Sequence, residues 1–264
     1  MADTELKAQI EAATVYEAFF VPALFEQWSV PMLDTAKVRD GDHLLDVGCG
    51  TGVLARTAFD RVGPSGSVVG VDNNPAMLTV AKQIAPHIEW KEGAAEHLPF
   101  ADASFDVVAS QFGLMFFDRR AALLEMMRVL KPGGRLILSV WDSLENIPAY
   151  SILVALLQHK VSQRAADALR VPFALGNAEK LRAVFQEAGI DARMSRRQGT
   201  ARYPSVRSWV LTDVKGWFPL VDVNVSKDQY EDLLNEAEHA LHAFVQPNGT
   251  CVFPITVHIA LATK

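Results

Sequence analysis

Hydrophobic and polar positions between residues 42 and 141 form two kinds of segment in turn. Short apolar runs without polar alternation predict buried strands, and the amphipathic stretches between them predict helices. The predicted strands are 43–47, 67–72, 88–92, 105–111 and 134–141, and the predicted helices are 52–61, 75–84 and 119–130. Apolar strands joined by helices are typical of a parallel sheet covered on both faces. We therefore predict an α/β fold.

The pattern is looser on either side of this region. After residue 142 it predicts helices at 149–159, 177–188, 205–211 and 227–244, and strands at 191–198 and 252–262. Pro254 indicates an edge or a bulge in the last strand. Residues 6–38 are predicted to form two helices. We expect one domain over residues 1–264, with a core of 39–142, 177–202 and 250–264 and a cap of 1–38, 145–176 and 204–246.

Charge and composition argue against several classes of function. The net charge is −6, whereas a nucleic-acid partner requires clustered lysine and arginine. One local basic cluster exists, which we interpret as a solvated strand face: Arg193, Arg196, Arg197 and Arg202. The N-terminus lacks a secretory signal pattern, and no apolar run has the length of a membrane span. We expect a cytoplasmic protein that neither binds nucleic acid nor spans a membrane.

The most informative segment is Asp46–Leu54, which reads Asp-Val-Gly-Cys-Gly-Thr-Gly-Val-Leu. Its three glycines follow a predicted strand and precede a predicted helix, so bare backbone can approach a ligand closely there. Twenty residues beyond Gly52, a second predicted strand ends in Asp72, whose carboxylate can accept hydrogen bonds from both hydroxyls of a ribose. This combination predicts a ligand that contains adenosine.

The spacing of the glycines bears on which adenosine compound binds. Dinucleotide-binding folds use G-x-G-x-x-G, whereas this chain has G-x-G-x-G with Val53 in place of the third glycine. Asp46, at the end of the preceding strand, repels a pyrophosphate and attracts an α-ammonium group. The pattern therefore favours an adenosine that carries an amino acid over NAD. Cys49 is interpreted as a small space-filling residue, and neither it nor Cys251 has metal-ligand spacing, so no metal site is predicted.

Five segments follow one another in a characteristic order and spacing: Leu45–Gly52, Gly70–Met77, Gly93–Phe100, Phe105–Val108 and Leu130–Gly134. Over about residues 42–141 the chain thereby resembles the class I S-adenosylmethionine-dependent methyltransferases. It is most similar to the small-molecule branch, type 11, that includes the quinone-biosynthesis C-methyltransferases. The resemblance implies a Rossmann-like, seven-stranded, mostly parallel sheet with helices on both faces and a helical cap. It also implies S-adenosylmethionine as cofactor and S-adenosylhomocysteine as product.

The resemblance assigns expected roles to individual residues. Those expected around the methionyl part are Asp46, Gly48, Cys49, Gly50, Gly52 and Gln111, with Tyr16 closing over the cofactor. Those expected at the ribose and adenine are Asp72, Asn73, Met77, Ala94, Ala95 and Glu96. Many relatives carry aspartate at the position of Ala94, and its loss weakens adenine binding by about 1 kcal/mol unless Glu96 or a water substitutes. Structural alternatives stay open: the aspartates as caps, Met77 as a packing residue, and Glu96 and Gln111 as solvated residues.

The methyl acceptor is less defined. Ser110–Gly113 lacks the [DNS]-P-P-[YFW] motif of amino-methylating enzymes for DNA and some proteins. Apolar residues, which are core residues in the alternative interpretation, surround the presumed mouth: Phe112, Leu114, Met115, Phe116, Phe117, Trp141, Tyr203, Trp209, Trp217 and Phe218. An apolar pocket suits a small hydrophobic or aromatic acceptor. No catalytic base is assigned; the candidates, if a proton must be removed, are Tyr16, His97, His159 and Tyr203.

We therefore expect a methyltransferase that acts on a carbon, oxygen or nitrogen atom of a small hydrophobic or aromatic acceptor. The alternatives are a non-catalytic module that binds S-adenosylmethionine and an NAD-dependent oxidoreductase. A macromolecular methyltransferase requires a broad charged groove, which this acidic chain does not suggest. A closed apolar pocket beside Gln111 favours the enzyme, whereas a filled mouth favours the module. The sequence leaves open whether the protein is a monomer or a homodimer.

Overall fold

A computed structural model describes residues 2–264, without the side chains of residues 2–4, 219 and 220, and contains one seven-stranded sheet. The strands are β1 (His43–Val47), β2 (Ser67–Asp72), β3 (Glu89–Glu92), β4 (Phe105–Gln111), β5 (Leu130–Trp141), β6 (Ala192–Tyr203) and β7 (Cys251–Thr263). Their order is β3-β2-β1-β4-β5-β7-β6, and only β7 runs antiparallel to its neighbours. The predicted α/β fold with a mostly parallel sheet is confirmed.

Ten α-helices lie in the described part of the chain. They are α1 (Ala2–Val15), α2 (Glu26–Thr35), α3 (Val53–Val62), α4 (Pro75–Ile84), α5 (Arg119–Val129), α6 (Pro148–Lys160), α7 (Gln163–Arg170), α8 (Ala178–Glu187), α9 (Val206–Thr212) and α10 (Lys227–Ala240). Helix α7 was not predicted, because its eight residues bury only a narrow stripe of Ala165, Ala166 and Leu169. The stripe is regular, but eight residues are fewer than the roughly 11–18 over which helical periodicity is recognised.

The sheet places the predicted ligand segments next to one another. β1 lies between β2 and β4, and its residues Leu44, Leu45 and Val47 are fully buried. The chain passes from β1 to β2 on one side and later returns to β4 on the other side. In open α/β sheets, ligands bind at the carboxyl ends of the strands where the order reverses in this way. The glycine loop, Asp72 and Gln111 all lie at this edge.

The N-terminal segment forms one continuous series of helical turns rather than the two helices predicted over 6–38. Between α1 and α2, residues Tyr16–Phe25 form π-helical turns. Pro22 lies inside them, and proline has no N–H for a helical hydrogen bond, so a widened turn replaces regular α-helix there. This π-helical segment brings Tyr16, Phe20 and Phe25 to the ligand edge of the sheet.

The last two strands differ from the prediction in length and position. β7 is an interior strand, yet its pairing with β5 begins only at Val257. Pro254 lies in the part of β7 that pairs with β6 alone, opposite Thr200, so its missing N–H removes no bond to β5. β6 continues to Tyr203, beyond the predicted end at residue 198. Because this edge strand is rich in polar residues, the hydrophobic pattern of the sequence did not indicate its full length.

Candidate active site

A cavity of about 310 Å³ lies at the carboxyl ends of β1, β2 and β4, beneath the N-terminal π-helical segment. Nine of the thirteen residues predicted to bind the cofactor line it: Tyr16, Gly48, Gly50, Asp72, Asn73, Met77, Ala95, Glu96 and Gln111. The other four do not line it: Asp46, Cys49, Gly52 and Ala94. The structure thus brings most of the predicted set to one cavity, and the role of each residue stays a prediction.

The glycine loop requires glycine for reasons that differ along its length. Gly48, Gly50 and Gly52 have φ angles of 68°, 54° and 90°, a region that disfavours other residues. A Cβ atom on Gly48 would lie 2.8 Å from the ring of Phe117. Gly52 instead accommodates the indole of Trp90, which packs against it from the side away from the cavity lining. Two glycines therefore shape the cavity, while the third permits core packing.

Cys49 is held inside this loop rather than presented to the cavity. It is buried, and its Sγ lies 3.7 Å from the carbonyl oxygen of Gly50. Burial, together with the nearby carboxylates of Asp72 and Asp46, raises the pKa of the thiol well above its usual value. A protonated, buried thiol is a poor nucleophile, so the geometry supports the interpretation of Cys49 as a space-filling residue.

Asp72 is fixed in place by backbone hydrogen bonds. Its Oδ2 accepts from the N–H of Gly50 at 2.8 Å, and its Oδ1 accepts from the N–H of Asn74 at 2.9 Å. Asn74 in turn caps α4 by accepting from the backbone of Ala76. Burial raises the pKa of Asp72, and these N–H donors partly offset that effect. The carboxylate is therefore oriented before any ligand arrives.

Asp46 lies behind the glycine loop and is only 1% exposed. Its Oδ2 accepts from the backbone N–H of Ala55 in α3 at 3.1 Å, which is the capping role considered above. Its Oδ1 is buried without a hydrogen-bond partner among the described residues. Burial, with a further contribution from Asp72, raises the pKa of Asp46 to about 7. A carboxyl in this condition is stabilised by a cation placed nearby.

The residues predicted at the adenine occupy the loop that follows β3. Ala95 is buried on the cavity wall, whereas Ala94 lies outside the lining. Glu96 lines the cavity, and its Oε1 accepts from the backbone N–H of Asp118 at 2.8 Å, just before α5. Glu96 is thus tied to the protein through one oxygen. Met77, a residue of α4, also packs against α1, so its packing alternative holds alongside its place on the cavity wall.

Gln111 ties the N-terminal cover to the sheet. Its Nε2 donates to the carbonyl oxygen of Phe25 at 3.0 Å, and its Oε1 accepts from the hydroxyl of Ser29 at 3.1 Å. Tyr16 stacks on Phe25, with ring centroids 5.2 Å apart, and lies above Gly50. Both ends of the Gln111 amide are therefore engaged, which the sequence did not indicate.

The rest of the cavity is mostly apolar. Phe112 and Trp141 stack face to face with ring centroids 3.8 Å apart, and side chains from the cap complete the wall: Tyr150, Leu169, Phe173, Asp213, Trp217 and Val221. The apolar residues named from the sequence divide into two groups. Phe112, Phe116, Phe117, Trp141 and Trp217 line the cavity, whereas Leu114, Met115, Tyr203, Trp209 and Phe218 are buried outside the lining. We call the part lined by cap residues the cap half.

The candidate bases are not placed for proton removal. His97 and His159 are exposed, and Tyr203 is buried outside the cavity lining. Burial and three neighbouring carboxylates raise the pKa of Tyr16, so its phenol keeps its proton. The ionisable residue that the sequence analysis missed is Asp213. Its only signal was one acid next to the short apolar stretch 209–211.

Comparison with known proteins agrees with this geometry. The family described as Methyltransferase domain matches residues 45–138. A demethylmenaquinone methyltransferase of Lactobacillus johnsonii is 42% identical over 115 residues, which are 41% of this chain and 47% of that protein. A ubiquinone/menaquinone biosynthesis C-methyltransferase of Pseudomonas putida is 35% identical over 181 residues, 62% of this chain and 71% of the relative. The chain belongs to the class I S-adenosylmethionine-dependent methyltransferases.

A solved structure supports the fold of this methyltransferase. The YcgJ protein of Bacillus subtilis superposes with a TM-score of 0.61, covering 90% of this chain and 98% of the other, at 23% identity. The cavity also fits the family's cofactor, S-adenosylmethionine. The unpartnered buried Oδ1 of Asp46 and the oriented carboxylate of Asp72 suit a ligand with an ammonium group and a ribose. The bare backbone at Gly50, where nothing lies nearer to an added Cβ atom than the ring of Tyr16 at 4.0 Å, leaves room for close approach.

Among residues 2–264, no helix has both the length and the apolar character needed to traverse a bilayer. Within the same residues, no group of three or more histidine, cysteine, aspartate or glutamate side chains is arranged to hold a metal ion.

Proposed function

We propose that this methyltransferase transfers a methyl group to a small, largely apolar acceptor that binds in the cap half of the cavity. The observation that carries the proposal is that a single cavity joins the glycine loop and Asp72 to a wall of aromatic cap residues. S-adenosylmethionine and the acceptor have to share this cavity of about 310 Å³, which supports a small acceptor. The mouth beside Gln111 is not filled by side chains, which argues against a purely binding module.

We propose the cofactor-binding residues that the sequence predicted, but with a different role for Gln111. We propose that Asp72 binds the ribose and that Asp46 compensates the methionyl ammonium through the loop. Gln111 acts by holding the cover over the cavity, because its amide is already bonded to Phe25 and Ser29. The cap segments 2–38, 145–176 and 204–246 are proposed to belong to one domain with the core.

The geometry supports catalysis by alignment and exclusion of water. S-adenosylmethionine supplies an electrophilic methyl group on a sulfonium when it is bound. Displacement at that methyl requires the acceptor atom to be held in line, and orientation of this kind accounts for much of the acceleration in such reactions. Phe112, Trp141 and the cap residues provide rigid apolar walls, which keep water away from the reacting centre.

The residues of the cap half determine which acceptor can bind. Both relatives are named for methylation in quinone biosynthesis, which supports an aromatic acceptor. The matched family region, however, ends at residue 138, before Tyr150, Asp213 and Trp217. The chain spans 47% of the length of the Lactobacillus relative. The substrate of that relative is therefore not assigned to this protein.

Isothermal calorimetry with S-adenosylhomocysteine tests the cofactor half. We expect micromolar binding of S-adenosylhomocysteine and no binding of NAD. Asp72→Ala should weaken the binding at least tenfold, about 1.4 kcal/mol, because it removes the oriented carboxylate. Asp60→Ala is the matched control: Asp60 is exposed on α3 and lies outside the cavity lining, so affinity should not change.

The outcomes separate the alternatives. Binding of NAD alone contradicts the methyltransferase assignment of the cavity. Unchanged affinity in Asp72→Ala contradicts the ribose assignment while leaving the cofactor class in place. If S-adenosylhomocysteine binds, methyl transfer from labelled S-adenosylmethionine to a panel of hydrophobic phenols, quinols and aromatic amines tests the enzyme. No transfer to any of them favours the binding module.

A further inference from the structure

Asp213 is a buried carboxyl on the wall of the cap half that the proposed chemistry does not yet use. It is 2% exposed and begins a π-helical turn, Asp213–Trp217, that follows α9. Its Oδ2 has no hydrogen-bond partner among the described residues. π-helical turns are rare and are found frequently at functional sites. Among the described residues of the cap half, Asp213 is therefore an unsatisfied carboxyl surrounded by mostly apolar side chains.

The neighbours of Asp213 do not satisfy this carboxyl. The nearby indole N–H of Trp209 lowers the pKa of Asp213, but Nε1 of Trp209 and Oδ2 of Asp213 are both without a partner in hydrogen-bond geometry among the described residues. The hydroxyls of Tyr150 and Tyr203 lie 3.4 Å apart and bond to each other. Burial raises the pKa of Asp213 well above its usual value, the direction expected for a carboxyl without a partner.

A structural carboxyl in this protein looks different. Asp142 is equally buried, at 1% exposed, but accepts from Nε of Arg196 at 2.7 Å and from Nδ2 of Asn146 at 2.9 Å. These partners hold the pKa of Asp142 below its ordinary value despite burial. An unpartnered buried polar group costs about 1–3 kcal/mol, and a charged one costs more. Asp213 is therefore better explained by a ligand than by the fold.

The charges around the cavity indicate which ligand this is. Among the described lining residues there is no lysine, arginine or histidine, and the acids are Asp72, Glu96 and Asp213. An anionic acceptor meets only like charge. The cap half also presents aromatic rings, and the faces of aromatic rings attract cations. A carboxylate among aromatic rings is the arrangement that stabilises a protonated amine.

We propose that Asp213 binds a basic nitrogen of the methyl acceptor, so that the substrate is a small aromatic or alicyclic amine. This inference rests on the proposed function, because it identifies the ligand of the cap half of the same cavity. Asp213 is here a substrate-binding residue that selects acceptors by charge. Tyr150, Phe173 and Trp217 surround the apolar body of the acceptor.

Three probes of nearly the same shape and different charge test the proposal: 2-phenylethylamine, 2-phenylethanol and phenylacetate. Each is titrated into the protein saturated with S-adenosylhomocysteine, with binding followed by ligand-observed NMR. We expect the amine to bind at least tenfold more tightly than the alcohol, and phenylacetate to bind more weakly than either. This series uses the wild-type protein, so it does not depend on the folding of any variant.

Variants then test whether Asp213 causes the preference for the amine. Asp213→Asn should weaken amine binding at least tenfold, leave alcohol binding within twofold, and leave S-adenosylhomocysteine affinity unchanged. Asp222→Asn is the matched control, because Asp222 lies in the same cap segment but is exposed and paired with Arg164. It should leave the binding of all three probes unchanged.

Several results would overturn the amine assignment. These are equal or tighter binding of the alcohol, tightest binding of phenylacetate, no binding of the amine, or an amine preference that survives Asp213→Asn. Each of them leaves the proposed function standing as long as S-adenosylhomocysteine binds. Failure of S-adenosylhomocysteine to bind would instead remove the proposed function itself, so the two failures are distinguishable.

Discussion

At the scale of single residues, the site is dominated by buried carboxyls that lack basic partners. Asp46 and Asp213 each have an unpartnered oxygen, whereas Asp72 is oriented entirely by backbone N–H groups. Desolvation of these groups is a cost to the folded protein that a cationic ligand reduces. S-adenosylmethionine is such a ligand, since it carries a sulfonium and an ammonium group. We therefore expect these carboxyls to lower the free energy of unfolding of the protein when no ligand is bound.

The pKa of Asp46 gives this cost a pH dependence. Burial raises the pKa to about 7 in the folded protein from an ordinary value of 3.8. The folded state thus binds the proton more tightly than the unfolded chain, and stability is lost as the pH rises from about 4 to about 7. Asp46→Asn removes this effect. The variant should gain stability over wild type between pH 5 and pH 8, by about 2 kcal/mol.

Urea unfolding of both proteins, without ligand, at pH 5, 6, 7 and 8 measures this difference. Asp60→Asn, on the exposed face of α3, is the control and should follow wild type at every pH. If Asp46→Asn shows the same pH slope as wild type, Asp46 does not titrate in this range.

The placement of a residue could be predicted from the sequence where the backbone conformation requires a particular residue type. Gly48 and Asp72 belong to this group, since a strand, a turn and a helix start fix their surroundings locally. Asp213 does not, because its significance depends on its distance from Tyr150, more than sixty residues away in the chain. The same holds for Gln111, whose partners lie in the N-terminal segment. Contacts between distant segments leave no pattern in a single sequence.

At the scale of elements, β1, β2, β4 and α4 have the bounds predicted, because apolar runs and strong caps define them locally. Asn74 caps α4 and Pro75 occupies its first turn, so local residue types mark where this helix begins. The N-terminal segment was only partly predicted. An apolar, aromatic segment indicates helix, but its π-helical turns at Tyr16–Phe25 follow from Pro22 and from packing against the sheet. Periodicity alone does not distinguish such turns from regular helix.

The tether between this π-helical segment and β4 can be tested directly. Gln111→Ala removes the hydrogen bonds to Phe25 and Ser29, each worth about 1 kcal/mol. Amide hydrogen exchange over residues 16–25 should accelerate at least fivefold, while exchange in β1 stays unchanged. Ser29→Ala removes only one of the two bonds and should have a smaller effect. Gln186→Ala, exposed on α8, is the control. Unaltered exchange in Gln111→Ala would mean that packing alone holds the cover.

At the scale of the whole molecule, the sheet supplies one wall of the cavity and the cap supplies the other. Tyr16, Phe20 and Phe25 belong to the N-terminal cover, Asp213 and Trp217 to the segment after α9, and neither segment lies within the matched family region. The matched family region thus lies in the core, while the lining of the cap half is built from the added segments. A ligand in the cavity contacts both parts and should stabilise them together.

Ligand-linked stability measures that coupling. At a concentration of S-adenosylhomocysteine one hundred times its Kd, the free energy of unfolding should rise by about 2.7 kcal/mol. For a chain of this size that corresponds to a rise in Tm of about 5–10 °C. Because Tyr16 lies over Gly50, amide exchange over residues 16–25 should slow along with that of the glycine loop. NAD at the same concentration should change neither quantity. Protection confined to the loop would show that the cofactor binds the core without engaging the cover, and the cap would then serve the acceptor alone.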